Sequence, residues 1–184
     1  MSDAGPPVPL SEPPWLNGLP SPYYDDSHRR LQREARDFIT KNLSQYAMEW
    51  ETSEEVPDDL YATFARGNFI LPSLPAPLPV EWLKKLGVTH MPGNVPVEEW
   101  TYMHGMIYAD EVGKPAEGCC IGSEADYCQM SRAGLAGPPG AVTTGMAFGV
   151  PPILKYGSRQ LQERFLPDLL LGKKRTCIAI TEPE

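Results

Sequence analysis

Residues 151–184, which read PPILKYGSRQLQERFLPDLLLGKKRTCIAITEPE, decide the fold of this chain. Residues 158–171 follow a polar helical pattern, and Gly172 closes it because glycine readily takes the left-handed conformation that ends many helices. A basic turn then separates this helix from residues 175–180, whose apolar run predicts a short β-strand. The segment therefore predicts a helix, a turn and one strand, in that order.

Helical periodicity also dominates upstream. Residues 28–43 carry one apolar face, which Ser27 is predicted to cap at its N-terminus. A second helix is predicted from Pro57 and the acids that follow it, and it ends at Gly67. A third apolar face finishes at Gly113 and consists of Trp100, Met103, Ile107 and Glu111. We therefore expect an all-α helical bundle of about five or six helices, followed by the first strand of a further β domain.

Proline marks the organisation of the chain. Seven prolines among the first 22 residues predict an extended arm over residues 1–24. Residues 25–174 are then predicted to form the α domain and residues 175–184 to begin the β domain. Six more prolines between Pro72 and Pro96 predict a long surface connection, with one or two helical turns over residues 80–86.

Composition excludes several classes of protein. The 184 residues are 41% hydrophobic but contain no apolar run long enough to span a membrane, and the N-terminus lacks the features of a secretion signal. A net charge of −8 argues against a nucleic-acid partner. Cysteine spacing indicates neither a zinc site nor disulfides, so we interpret Cys119, Cys120, Cys128 and Cys177 as buried, reduced thiols of a protein that is not secreted.

Several polar residues invite a functional interpretation that their spacing does not support. His28, His90 and His104 lie far apart in the sequence, and we interpret them as surface or satisfied core histidines. The acidic pairs Glu98-Glu99 and Asp110-Glu111 are interpreted as charges near helix ends or in solvent. We therefore predict no metal site from these residues.

The small, apolar residues 142–156 contain Gly145 and Gly149, four positions apart. This spacing allows close backbone approach, which in a helix indicates tight packing more often than a ligand site. Both interpretations stay open from the sequence.

The motif K-Y-G-S-x-x-L-Q-E-R-F-L-P-D-L-L-x-G, followed by an apolar strand that ends in T-E-P, resembles the acyl-CoA dehydrogenase family. The resemblance implies an N-terminal α domain, a middle β domain, a C-terminal four-helix domain, and bound FAD. It also implies α,β-dehydrogenation of acyl-CoA or a related acyl thioester, including one of specialised metabolism, with electrons passed to an electron-accepting flavoprotein. A homo-oligomer at full length and a cytoplasmic or peroxisomal location are further expectations.

The resemblance assigns few residues of this chain. Thr181 matches the threonine whose hydroxyl and backbone contact the flavin ring, and Ala179, Ile180 and Glu182 belong to the same stretch. Thr144 and Phe148 share one helical face in a segment that resembles the wall of the acyl pocket. The catalytic carboxylate of the family lies in the C-terminal domain and has no match here. We therefore expect the 184 residues alone to be inactive and to bind no FAD.

A second interpretation keeps the same fold without catalysis. In it the chain is a truncated homologue that acts as a helical interaction partner or as a subunit that completes another chain. Both interpretations remain open from the sequence.

Overall fold

The computed structural model describes residues 14–16, 18–112, 137–177 and 179–180. Helices dominate these residues, and their only β structure is one two-stranded antiparallel hairpin. The predicted all-α fold is confirmed. Within the same residues, no helix is both long enough and apolar enough to cross a lipid bilayer.

The helices are numbered along the chain as α1 to α8, and the hairpin strands as β1 and β2. Their bounds are α1 Asp26–Ile39, α2 Ala47–Ser53, α3 Leu60–Arg66, α4 Val80–Lys85, β1 His90–Met91, β2 Val95–Pro96, α5 Tyr102–Val112, α6 Gly137–Thr144, α7 Val150–Tyr156 and α8 Arg159–Leu170. A π-helical turn, Thr40–Ser44, extends α1, and another, Gly145–Gly149, joins α6 to α7. Residues 137–156 are therefore one continuous helical stretch.

Helix α1 begins two positions earlier than the sequence suggests, because Asp25 rather than Ser27 caps it. The Asp25 carboxylate accepts hydrogen bonds from the backbone N–H groups of Ser27 and His28. Ser27 lies inside the helix and donates its own hydroxyl to Asp25 at 2.5 Å, so the predicted Ser27 cap is wrong. The apolar face itself forms as expected and is buried at Leu31, Ala35, Ile39 and Leu43.

The predicted helix ends at Gly67 and Gly172 agree with the structure, and the end predicted at Gly113 lies outside the described residues. Gly67 follows the last residue of α3, and a Cβ at Gly67 would lie 2.8 Å from the Phe38 ring. Ser158 caps α8 by accepting the Leu161 N–H, and Gly172 ends the helix at a φ of 67°. Local chemistry determines both ends of α8, whereas glycine at position 67 also makes room for the distant Phe38 ring.

The prediction of a surface connection over residues 72–96 is wrong. This stretch holds the 3-10 turn Leu71–Ser73, α4 and the β hairpin, and it contributes to the main hydrophobic core. Its fully or nearly buried side chains include Leu74, Leu78, Trp82, Leu83, Met91 and Val95. The prolines of this stretch therefore mark turns between buried apolar side chains, and the chain does not run over the surface.

Residues 175–177 and 179–180 lie outside helices and strands. Arg175 holds the start of this segment to α3, because its guanidinium donates to the Asp58 carbonyl at 3.1 Å and lies 4.8 Å from the Tyr61 ring centre. A strand needs a neighbour to accept its hydrogen bonds, and among the described residues no strand lies alongside the segment. The further β domain and the domain boundaries stay predictions.

Candidate functional site

An apolar cavity of about 470 Å³ lies between α5, the helical stretch 137–156 and residues 72–76. Its volume falls within the range of about 300–1,000 Å³ typical of small-molecule sites. The side chains of Tyr102 and Met106 on α5 remain largely exposed to solvent. The walls are formed mostly by small or apolar residues, namely Pro72, Leu74, Pro75, Ala76, Gly105, Met106, Ala109, Val112 and Ala147.

The helical stretch 137–156 turns Thr143 and Ala147 toward this cavity. Thr144 and Phe148, the residues expected to contact substrate, lie one position further along, and both are exposed, Phe148 at 61%. Neither of them lines the cavity. The third face of the stretch, Val142, Met146 and Val150, packs into the core.

Tyr108 forms the floor of the cavity on the α5 side. Its phenol is buried and donates a hydrogen bond to the Phe69 carbonyl. Burial raises the pKa of this phenol above its ordinary value, although the neighbouring Ser73 side chain opposes the shift. Tyr108 therefore stays neutral and serves as a fixed wall rather than as a base.

On another face of the same stretch, Gly145 and Gly149 contact Thr176 directly. A Cβ at Gly149 would lie 2.5 Å from Thr176 Cγ2, and a Cβ at Gly145 would overlap the Thr176 carbonyl oxygen. The absence of side chains at both positions therefore lets the segment after α8 lie against the helix. Tight packing, one of the two interpretations left open from the sequence, is what this pair of glycines provides.

The segment that Thr176 anchors continues into the candidate flavin-contact residues. Ala179 and Ile180 are exposed, Ile180 at 83%, and lie outside helices and strands. Thr181 and Glu182 lie outside the described residues. Ala179 and Ile180 thus follow Thr176, which contacts a helix that lines the cavity, and among the described residues neither of them pairs in a sheet.

The side of α5 that faces α1 buries a charged residue, Glu111. Glu111 is 3% exposed, accepts hydrogen bonds from Gln32 Nε2 at 3.0 Å and Arg36 Nε at 3.0 Å, and forms an ion pair with Arg36. The interpretation of Glu111 as a solvent charge is wrong. Its partners come from another helix 75 and 79 positions away in the sequence, so local spacing gave no signal of them.

His28 and His104 also meet across the α1–α5 interface. Their rings stack with centres 4.0 Å apart, and His104 Nε2 lies 2.9 Å from the Ser27 hydroxyl. Burial, reinforced by the neighbouring His28, lowers the pKa of His104 to about 4, although Asp25 opposes this shift. These two histidines are therefore not far apart in space, whereas His90 is exposed on the hairpin.

The remaining polar candidates lie apart from the cavity. Glu98 is exposed and pairs with Lys84, in line with its interpretation as a solvent charge. Cys177 is exposed rather than buried, because it follows Thr176 on the outer segment. Cys119, Cys120 and Cys128 lie outside the described residues. Within the described part of the chain, no three His, Cys, Asp or Glu residues gather as metal ligands.

Two curated proteins match nearly the whole of this chain. Acyl-CoA dehydrogenase apdG of Emericella nidulans is 54% identical over 177 residues, which are 96% of this chain and 36% of that protein. Acyl-CoA dehydrogenase AFT10-1 of Alternaria alternata is 31% identical over 177 residues, with the same two shares. The chain is therefore related to acyl-CoA dehydrogenases. The resemblance stated from the terminal motif is confirmed.

The chain spans only about a third of the length of these acyl-CoA dehydrogenases. No family model matches it, and neither does any solved structure. The relationship therefore places this segment in an oxidoreductase family and agrees with its helical fold.

The cavity of this acyl-CoA dehydrogenase relative includes residues that sequence reasoning missed. Gly105 and Ala109 on α5, and Thr143 and Ala147 on the facing stretch, are each four positions apart. Small residues repeated at this spacing form a groove along a helix, and this was the signal available in the sequence. We interpreted this spacing at Gly145 and Gly149 but not at Gly105 and Ala109 or at Thr143 and Ala147.

Proposed function

We propose that this chain is the substrate-cavity part of an FAD-dependent, acyl-CoA dehydrogenase-type oxidoreductase that carries out α,β-dehydrogenation of an acyl thioester. The cavity takes the acyl chain. One observation carries the proposal: a single helical stretch presents Thr143 and Ala147 to an apolar cavity and Gly145 and Gly149 to the segment that leads to the candidate flavin contacts. The proposed substrate and cofactor regions thereby lie against the same helical stretch, residues 137–156.

The cavity suits an acyl chain because its walls offer contact without charge. The described residues that line it carry no ionisable group except the phenols of Tyr102 and Tyr108. Burial of methylene groups in such a site stabilises binding by about 0.8 kcal/mol each. We propose that Thr143 and Ala147 contact the acyl chain in place of Thr144 and Phe148, which the helix turns toward solvent.

Ala179 and Ile180 fit a role at the flavin edge. They are exposed, and a chain segment of this kind offers consecutive N–H and C=O groups to a planar partner. When bound, FAD supplies the acceptor for the hydride that leaves the β-carbon. We propose that Thr181 and Glu182 continue the contact and that the α-proton is taken by a carboxylate outside this chain.

The remaining features follow from the same proposal. An electron-accepting flavoprotein re-oxidises the enzyme, the full-length protein forms a homo-oligomer, and the protein works in the cytoplasm or the peroxisome. The 184 residues alone hold the acyl chain but neither bind FAD nor turn over, because they contain no match for the family's catalytic carboxylate or for most of its flavin site.

Calorimetry with the N-acetylcysteamine thioester of octanoic acid tests the role of the cavity. We expect the chain to bind this thioester and expect Ala147→Trp, which fills the cavity, to lower affinity at least about tenfold, the effect of 1.4 kcal/mol. Phe148→Ala is the matched control, since it changes the next residue on the outward face and should leave affinity unchanged. Equal loss in both variants, or no binding by the unaltered chain, contradicts the proposal.

The non-catalytic alternative also has an observation in its favour. Large apolar side chains stand exposed on α7, α8 and the turn before them, including Phe148, Tyr156, Leu161 and Phe165. Such a surface suits contact with further protein. A full-length protein that includes this chain and shows no flavin absorbance band and no acyl-CoA-dependent reduction of an electron acceptor would favour this subunit role.

A further inference from the structure

Gly105 is an unusual glycine because nothing inside the described structure explains it. It lies in the middle of α5, where glycine is less favourable than alanine by roughly 1 kcal/mol. Its φ is not positive, and no heavy atom of the described residues lies within 4 Å of the position that a Cβ would occupy. Neither backbone conformation nor close packing therefore requires glycine at this position.

Eight other glycines have such reasons, whereas at Gly140 a Cβ would make an ordinary 3.6 Å contact in its own helix. Gly18 and Gly87 have positive φ. A Cβ would lie less than 3 Å from a neighbouring atom at Gly67, Gly93, Gly145, Gly149, Gly157 and Gly172. What distinguishes Gly105 from Gly140 is its place, since only Gly105 lines the cavity.

The walls around Gly105 are small as well. Ala109 follows it by one turn on α5, and Ala147 lies on the other helical wall. At Gly105 a ligand can approach the helix backbone, which a side chain would prevent. An unbranched chain of methylene groups needs no such clearance, whereas a branch or a ring does.

We propose that Gly105 is a specificity-determining residue that keeps a slot open in the α5 wall, so that the cavity admits acyl groups with a methyl branch or comparable bulk at that depth. The inference rests on the proposed function, because it assumes that the cavity holds the acyl chain. It adds the shape of the substrate and the residue that sets it.

The test compares N-acetylcysteamine thioesters of octanoic acid and of its methyl-branched isomers by calorimetry, using the unaltered chain, Gly105→Ala and Gly105→Val. We expect the unaltered chain to bind at least one branched isomer as tightly as the straight thioester. The variants should lose affinity for that isomer progressively, by about tenfold or more, as one methyl group in a hydrophobic pocket is worth about 10–200-fold. Affinity for the straight thioester should change much less.

Thermal unfolding of the free proteins separates this role from a structural one. Gly105→Ala should raise Tm by about 2–4 °C, because it improves helix propensity at an open position. Gly140→Ala is the matched control: it should raise Tm similarly and leave binding of every thioester unchanged. A Gly105→Ala variant that unfolds at a lower temperature would show that protein fills the slot, and it would overturn the proposal.

The binding results also keep this inference apart from the proposed function. If the unaltered chain binds none of the thioesters, the cavity does not hold an acyl chain and both ideas fail. If it binds the straight thioester but rejects every branched isomer, or if the Gly105 variants lose both kinds equally, only the specificity role is overturned.

Discussion

The two sides of α5 have different roles. Toward α1, the helix buries polar groups, with Glu111 held by Gln32 and Arg36 and with His104 stacked on His28. Toward the stretch 137–156, it presents the small residues Gly105 and Ala109 to an open cavity. The side toward α1 makes specific polar contacts, and the side toward the stretch 137–156 leaves a cavity open.

This difference shows how one short helix can supply both a fixed position and a binding surface. Buried polar groups are costly when unpaired, so Glu111 and His104 hold α5 in one register against α1. The cavity side can then leave apolar surface uncovered without letting the helix shift. We therefore expect substitutions on the α1 side to change stability, and substitutions on the cavity side to change binding.

The largest expected effect comes from Glu111→Ala. The change leaves Gln32 and the partly buried Arg36 without their carboxylate, and loss of one partner of a buried ion pair costs about 3–5 kcal/mol. Urea unfolding measures it. Glu98→Ala, which breaks the exposed pair with Lys84, is the control and should change the unfolding midpoint little. Similar costs for both would contradict the distinction between the two sides.

A smaller effect is expected from Gly145→Leu on the helical stretch 137–156. The new side chain must displace Thr176, and overpacking of this kind costs about 1–3 kcal/mol. Residues 175–177 should detach, so that trypsin cleaves after Lys174 and Arg175 more rapidly than in the unaltered chain. Unchanged cleavage would show that Thr176 does not hold the segment. Gly140→Leu serves as a control for helix propensity.

The pH dependence of stability tests His104. Its folded pKa of about 4 lies below the ordinary 6.5, so the unfolded chain binds the proton more readily. Stability from this group is therefore present above pH 6.5 and is lost as the pH falls from 6.5 toward 4. The urea midpoint should drop between pH 7 and pH 5. His104→Gln should flatten this slope, and His90→Gln, which alters an exposed histidine, should retain it; equal slopes in all three proteins would contradict the assignment.

The smallest effect is expected from Phe148→Ala. Since this side chain is 61% exposed, its removal should change the free energy of unfolding by no more than about 0.5 kcal/mol. Chemical denaturation provides the measurement. A cost above about 1.5 kcal/mol would mean that Phe148 is buried in solution and would contradict an exposed surface on this side of the helix.

Local signals in the sequence predicted the helices and their ends well. The apolar face of α1 and the Ser158 and Gly172 ends of α8 depend on neighbours within a few residues. The terminal motif likewise predicted the relationship to acyl-CoA dehydrogenases. Each of these features can be recognised without knowing what lies across the fold.

Features that depend on distant partners were missed. Burial of Glu111 needs Gln32 and Arg36, and the stacking of His104 needs His28, all from a helix some 75 positions earlier. At the cavity, the lining residues Thr143 and Ala147 lie one position before the predicted substrate contacts Thr144 and Phe148. Periodicity defines which residues share a face, but only the packing of Val142 and Met146 into the core decides which face meets the cavity.

The stack of Trp100 on His104, with ring centres 5.1 Å apart, gives the protein an optical readout of its own interior. A protonated imidazole quenches the fluorescence of an indole in contact with it, whereas a neutral imidazole does so weakly. Because Trp100 is 4% exposed, its emission should be blue-shifted and shielded from solvent quenchers in the folded chain. Measured against the emission of the other three tryptophans, the brightness of Trp100 therefore reports whether α1 and α5 remain closed around a neutral histidine.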